Sequence, residues 1–284
     1  MRFNTLQRAV EGLFIKGLIE LCFLFKIKPG KLMEDNDIVV SLTSYGRRVK
    51  ASAPYTIYWL FKQKKRPSRI ILWLDEVCWN ENNLPSEIKF LKCHGLEVRF
   101  CKDIKSYKKL IYTLAICRKS KIVTIDDDVL YYRNLIRELS IKSFMYPYAV
   151  IAMRYHQPAW NVKGKSLLPY RKWKLADESM KHKYPMATGV GGVLYPPHCF
   201  NDEVMNEEVF MKICPTADDV WFWCMSIYSE TEIIGIGKDM YYPIDAFYQK
   251  RHKGSALEHQ NVENCSNDTQ IKAVFDYYNL WNKA

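Results

Sequence analysis

Residues 122–131 read IVTIDDDVLY. A run that favours a buried strand leads straight into three carboxylates, Asp126, Asp127 and Asp128. In an extended segment Asp126 and Asp128 point to the same side. Two carboxylates held that close repel each other, and a hard divalent cation with oxygen ligands removes the penalty. The plainer reading is a solvated acidic turn that caps the next helix. Placement at the end of an apolar strand favours the metal. A second acidic pair, Asp218 and Asp219 in TADDVWFW, opens a predicted helix. The helix dipole there is expected to lower their pKa values, and satisfying that dipole could be all they do.

The elements that must position these groups follow from the apolar pattern. DIVVSLTSYGRR (37–48) is a strand and a turn, and SAPYTIYWLFKQ (52–63) a helix with Pro54 in its first turn. RIILWLD (69–75) is a second strand, and LPSEIKFLKCHG (84–95) a helix that stops at Gly95. LEVRFCKD (96–103) is a third strand, KSYKKLIYTLAICRKS (105–120) a third helix and KIVTIDDD (121–128) a fourth strand. Such alternation predicts an α/β fold, a mainly parallel sheet flanked by helices. In such sheets ligands bind beyond the carboxyl ends of the strands, where the three aspartates lie. Farther on, 148–155 reads as a fifth strand, and 156–184 as a long basic, aromatic loop. MATGVGGVLYPP is a glycine-rich turn feeding a strand, and EIIGIG another strand. A helix starts near Pro215 and Thr216, and a closing helix spans 269–283. No internal repeat is present, so one domain with two halves is expected.

Composition bounds the rest. The chain has 284 residues, 14% of them aromatic, and a formal charge of +11. A basic protein is drawn to polyanions, phosphorylated small molecules and anionic lipid among them. No zinc-finger spacing occurs and no run of five basic residues, so no nucleic-acid partner is expected. The aromatic share suits surfaces that stack on sugars, and it equally suits core filling. Nine cysteines, an odd number without a CxxC pair, suit reduced thiols in a cytoplasmic compartment.

Residues 1–30 form an amphipathic helix by spacing, with Leu6, Val10, Leu13, Phe14, Leu18, Leu21 and Phe25 along one face. Lys16, Glu20 and Lys26 interrupt it, so it lacks the ~18 uncharged apolar residues of a spanning helix. No small-residue cleavage site follows, which argues against a signal peptide. The helix either packs on the domain or lies in a membrane interface, its lysines and arginines toward anionic headgroups.

The strand that ends in D-x-D, the βα units before it, and the later glycine-rich and acidic segments together resemble the GT-A class of glycosyltransferases, of the kind that build bacterial surface polysaccharides. The resemblance runs over roughly residues 37–250 and is to the class as a whole. It implies a GT-A-like fold, with 37–135 as a nucleotide-binding half, 148–250 as an acceptor half, and 251–284 as a C-terminal loop and helix. It implies transfer of a sugar from a nucleoside diphosphate donor, a UDP-sugar, to a saccharide or lipid-linked saccharide. Thr43, Ser44, Tyr45 and Arg47 would lie near base and ribose, with Asp103 or Asp75 as a further contact. Asp75 could instead be a helix cap, and Arg47 and Arg48 plain surface residues. Lys108 or Lys109 could approach phosphate, at least one of them being a surface lysine. Asp126 and Asp128 would hold the ribose and the Mn²⁺ or Mg²⁺ that bridges the diphosphate, with His252 as a third ligand from a basic loop. Gly191 and Gly192 would let backbone N–H groups approach the donor sugar, or would serve only a tight turn that needs positive φ. Asp219 would be the base of an inverting reaction, and Asp218 would bind hydroxyls. The enzyme would be cytoplasmic and peripheral on the inner face of the cell membrane.

Three other readings share parts of this pattern. A sugar-phosphate nucleotidyltransferase would carry a GxGTR-like loop after the first strand, which SLTSYGRR lacks. A metal-dependent phosphatase or nuclease usually adds HxH or HD ligands, and neither pattern occurs. A non-catalytic scaffold for membrane or polyanions fits the charge and leaves both acidic groups without a role.

Overall fold

The computed structural model describes residues 5–161, 166–176, 184–244 and 266–283. The chain opens with α1 (Thr5–Leu24) and then alternates: β1 (Ile38–Thr43), the one-turn α2 (Arg48–Ala51) with α3 (Ala53–Leu60), β2 (Arg69–Asp75), α4 (Ser86–Lys92), β3 (Leu96–Cys101), α5 (Lys108–Ile116) and β4 (Lys121–Thr124). Beyond the acidic run come β5 (Val129–Tyr131), α6 (Leu135–Met145), β6 (Val150–Ala152), β7 (Tyr155–Gln157), β8 (Lys174–Leu175), β9 (Met186–Ala187) and β10 (Val193–Tyr195). They are followed by α7 (Glu207–Ile213), α8 (Asp218–Tyr228), β11 (Ile233–Gly235), β12 (Tyr241–Pro243) and α9 (Ser266–Tyr277).

Among the described residues the main sheet has seven strands, in the order β11-β6-β10-β4-β1-β2-β3. β1 is parallel to both β2 and β4, and β2 to β3. β10 is the exception, antiparallel to β4 on one side and β6 on the other. The sheet is therefore mixed and mainly parallel, and its central strands are apolar on both faces, as cover by helices on both sides requires.

Two cores lie on the two faces. Ile38, Val40 and Leu42 of β1 pack with Ile19, Ile57, Ile88 and Leu139, from α1, α3, α4 and α6. Val39 faces the other way, with Leu110, Phe210, Trp221 and Phe275, from α5, α7, α8 and α9. Burying each such side chain fully contributes about 1.5–3 kcal/mol, so the alternation along β1 strongly fixes its register. Trp221, Trp223, Tyr107, Tyr155 and Phe275 are all fully buried, so a large part of the aromatic share fills the core. The two indoles donate to Val204 O (3.0 Å) and Tyr184 O (3.1 Å), which satisfies their polar ends.

Two local features aim the acidic run. Ile125 N still donates to Ser41 O (3.1 Å), and then the chain turns away from the sheet. β5 leaves to pair antiparallel with β12, so residues 126–128 form the corner between sheet and ribbon. On the opposite side α1 seats on that ribbon. Arg8 donates to Tyr241 O (2.6 and 3.1 Å), and a Cβ at Gly12 would sit 2.4 Å from Pro243 O. Phe23 packs edge-on against Tyr55, Tyr58 and Phe90. One side of α1 thus packs on the body, while Val10, Phe14, Leu21, Leu24 and Phe25 remain exposed. No helix among the described residues is long and apolar enough to cross a membrane.

Candidate functional site

The corner at 126–128 is fixed from both sides. Asp126 N donates to Tyr131 Oη (2.9 Å), and that hydroxyl donates to Val190 O (3.2 Å), tying the corner to the glycine-rich turn. Asp127 points inward and is buried. It accepts from Ser44 Oγ and pairs with Arg48 (3.0 Å), while Thr56 Oγ1 donates to its carbonyl (3.1 Å). The same guanidinium forks to Asp128 at 3.0 Å. Asp126 goes elsewhere, to Lys109 Nζ at 2.9 Å. The expectation that Asp126 and Asp128 share one side rests on an extended chain, and the turn gives them different cations. Asp128 still feels its neighbours. Burial first, then the charge of Asp127, outweigh Arg48 and push its carboxyl up to about 7.

The second acidic pair arrives from the other half of the chain. Asp218, the first residue of α8, accepts from Ser106 Oγ (2.8 Å), and its Oδ2 lies 3.2 Å from Lys109 Nζ. That Oδ2 is buried without a hydrogen bond of good geometry. Asp219 Oδ2 accepts from Gly189 N at 3.0 Å. Burial, then the charge of Asp218, push the Asp219 carboxyl up to about 7 against the pull of Lys109. The expected lowering by the helix dipole is therefore overturned for Asp219, because burial and a like charge outweigh the dipole.

Lys109 joins the two groups. Burial opposes its charge, but Asp126, Asp218 and Asp219 more than offset that and hold the ammonium well above its usual range. A Cβ built on Gly189 would lie 3.0 Å from Asp219 Oδ1, 3.0 Å from Lys109 Nζ and 3.6 Å from Asp126 Oδ1. The three charged groups thus close around one bare stretch of backbone, a cradle that any side chain at 189 would fill.

The other residues singled out in the sequence scatter around this centre. Thr43 Oγ1 donates to Trp73 O (2.9 Å), a bond within the sheet edge. Ser44 is buried on Asp127, whereas Tyr45 and Arg47 are exposed beside it. Asp75 accepts from Val77 N (3.0 Å), capping the turn after β2 rather than a helix. Asp103 accepts from Lys105 N (3.0 Å) and pairs with Lys108. Lys108 and Lys109 are 2% and 5% exposed, so the expected surface lysine is not found at either position. A Cβ on Gly191 would lie 2.4 Å from Arg154 Cβ, and Gly192 takes φ +90°. Both glycines are required by the fold of the turn itself. His252 lies outside the described residues.

Four contributors carried no sequence signal: Arg48 as a fork, Ser106, Tyr131 and Arg154. Arg154 donates to Thr188 Oγ1 (2.9 Å), beside Gly189, and pairs with Asp239 (3.4 Å). Each acts on a group distant in the chain, which local pattern does not reveal.

Among the described residues no three His, Cys, Asp or Glu side chains gather as a metal cage. The donor set is all carboxylate oxygen, the chemistry of Mg²⁺ and Mn²⁺ sites. Such ions commonly take one or two protein carboxylates and complete their shell with waters and substrate phosphate. Asp126, Asp127, Asp128, Asp218 and Asp219 share two partner cations, Lys109 and Arg48. Burial first, and then the charge of a neighbouring aspartate, raise the Asp128 and Asp219 carboxyls to about 7. The oxygen-only donor set is of the kind a hard divalent cation takes, while Asp126 and Asp128 each already hold a protein cation, Lys109 and Arg48.

No family model matches the chain, and no curated protein matches it in sequence. Among solved structures it is similar to S. aureus TarS. The 1–349 form in complex with UDP is 12% identical, with a TM-score of 0.45, over 72% of this chain and 60% of that one. A further structure of the 1–349 form is 12% identical, with a TM-score of 0.46, over 85% and 72%. The complex with UDP-GlcNAc is 11% identical, with a TM-score of 0.48, over 72% and 58%. The chain thus spans 60% of the length of the first of these.

Proposed function

We propose that the chain is a metal-dependent glycosyltransferase that moves a sugar from a UDP-sugar to a saccharide, free or lipid-linked, with inversion. In this reading residues 37–250 are the catalytic domain, 37–135 carrying the nucleotide and 148–250 the acceptor. The protein works in the cytoplasm, peripheral on the anionic inner face of the cell membrane. One observation carries the proposal: Asp126, from the first half, and Asp218 and Asp219, from the second, converge on Lys109 at the carboxyl edge of a mainly parallel sheet.

Each residue then has a task. Asp126 and Asp128 would hold Mn²⁺ or Mg²⁺, which when bound offsets the negative charge that gathers on the leaving diphosphate. Asp219 takes the proton of the acceptor hydroxyl. The acceptor oxygen forms its bond to the anomeric carbon as the bond from that carbon to the diphosphate breaks, and the electron pair leaves with the diphosphate. Asp218 orients hydroxyls, held by Ser106. Lys109 offsets the repulsion among the acidic groups and so favours their ionised forms. Tyr45 and Arg47 line the approach to the nucleotide, and Ser44 holds Asp127 beneath them. A carboxyl near 7 suits the base, since general bases work best with a pKa close to the working pH.

The test is calorimetric titration of UDP into the protein with Mn²⁺ and, separately, with EDTA. Binding is expected to strengthen with the metal. Equal affinity in the two buffers would remove the metal-and-diphosphate reading. A panel of nucleotide-sugars, followed by metal-dependent release of UDP, then identifies the donor.

A further inference from the structure

We infer that α1 is the element that seats the protein on the membrane, lying flat in the headgroup layer of an anionic bilayer. The inference rests on the membrane location proposed above and not on the sugar chemistry.

Two sides of the helix differ in what they touch. The inner side is tied down by Arg8 on Tyr241 O, by Ile19 in the core and by Phe23 among three rings. On the outer side Val10, Leu13, Phe14, Leu21, Leu24 and Phe25 are each between 41% and 72% exposed. Their spacing of three and four keeps them on one stripe along the whole helix. An apolar stripe of that length left open on an otherwise well-packed body marks a surface that another phase or partner covers. At its end the exposed Lys26, Lys28 and Lys31 follow, with the exposed Glu34, Asp35 and Asp37 farther along the segment leading to β1.

Geometry and charge choose the occupant. A 20-residue helix is ~30 Å long and ~10 Å wide, which offers ~300 Å². A stable dimer needs about 800 Å² from each partner. An anionic lipid surface meets both features at once, hydrocarbon for the stripe and phosphate for the lysines. The helix does not span, so it binds in the plane.

The seat is also linked to the site. Asp239 pairs with Arg8 of α1 (3.3 Å) and with Arg154 (3.4 Å), whose guanidinium donates to Thr188 next to Gly189. Docking through α1 would therefore bear on an element that contacts the segment beside Gly189.

The experiment is flotation of the full chain with vesicles of phosphatidylcholine alone and of phosphatidylcholine with about one-third phosphatidylglycerol. The protein is expected to float with the anionic vesicles, and salt is expected to weaken it. Phe14→Glu with Leu21→Glu should lower the bound fraction at least about tenfold, while UDP affinity stays unchanged. Lys26→Gln with Lys28→Gln and Lys31→Gln should lower it on anionic vesicles with the apolar stripe intact. If the glutamate variant fails to fold by circular dichroism, the glutamine variant decides. Wild-type protein that stays with the soluble fraction overturns the inference, as does a folded glutamate variant that floats like wild type. A concentration-dependent dimer that the glutamates abolish, without vesicle binding, assigns the stripe to a second copy. Loss of UDP binding in the wild type would strike the sugar chemistry alone.

Discussion

Lys109 Nζ lies 3.2 Å from Asp218 Oδ2, an ion pair between the helix that precedes the acidic strand and the helix that begins the second acidic pair. The same ammonium reaches Asp126 at 2.9 Å. One buried cation therefore serves both halves of the chain, and its removal should be felt in both. Lys109→Met keeps the length and apolar stem but strands three carboxylates near one another. Breaking a buried pair in this way costs about 3–5 kcal/mol. Chemical denaturation should show a loss of that order, and UDP titration a marked loss of affinity. A variant as stable as wild type would mean that solvent already neutralises this cluster.

Arg48 invites a subtler change. Its two terminal nitrogens each reach a different aspartate at 3.0 Å, Asp127 and Asp128. Lysine carries the charge as a single point and cannot fork. Arg48→Lys should thus keep the fold, lower stability by about 1–2 kcal/mol, and weaken metal-dependent UDP binding by loosening Asp128. Unaltered binding in the presence of Mn²⁺ would show that Asp128 needs no such support.

Asp219 gives two pH dependences of opposite sign. Its folded carboxyl titrates near 7 and its unfolded one near 3.8, so between these values the folded protein holds more protons. Stability from this group is fully present at low pH and is lost as pH rises through that window. Activity should run the other way, because the base must be ionised: kcat/KM should rise through about pH 7. Asp219→Asn should remove that limb, cut turnover by about 10²–10⁴-fold, flatten the stability profile between about pH 4 and 7, and leave UDP affinity in place. A variant that still turns over would dismiss Asp219 as the base.

The strands and helices from 37 to 124 were readable because apolar strands alternate with amphipathic helical stretches between clear stop signals, such as Gly95 at φ +106°. What lay beyond local pattern was partnership. Arg48 reads as a surface arginine until the fold brings it to residues 127 and 128. Lys108 and Lys109 look like a solvated pair at a helix start, but Asp103, Asp126 and Asp218 reach them from elsewhere. The reversed direction of β10 was likewise hidden, since three residues, VLY, carry no sign of orientation. β5 was missed because VLY is only three residues long and is cut off from the preceding apolar strand by the aspartates. Of the N-terminal helix, one side packs on the body and the other is exposed.

Glycine substitutions separate the site from the scaffold. At Gly189 a methyl group would meet Asp219 Oδ1 and Lys109 Nζ at 3.0 Å, the far ends of side chains that can give way. At Gly235, in β11, it would lie 1.9 Å from the Tyr155 ring, which is buried and has nowhere to go. Gly235→Ala should therefore destabilise by about 3 kcal/mol or more, as overpacking of a rigid core does. Gly189→Ala should cost about 1 kcal/mol or less in thermal unfolding and yet abolish transfer, because it fills the space where the three charged groups meet. The two variants must differ in this way if the cradle at Gly189 receives substrate. Full activity in Gly189→Ala would mean that the reacting atoms sit elsewhere, whatever the aspartates hold.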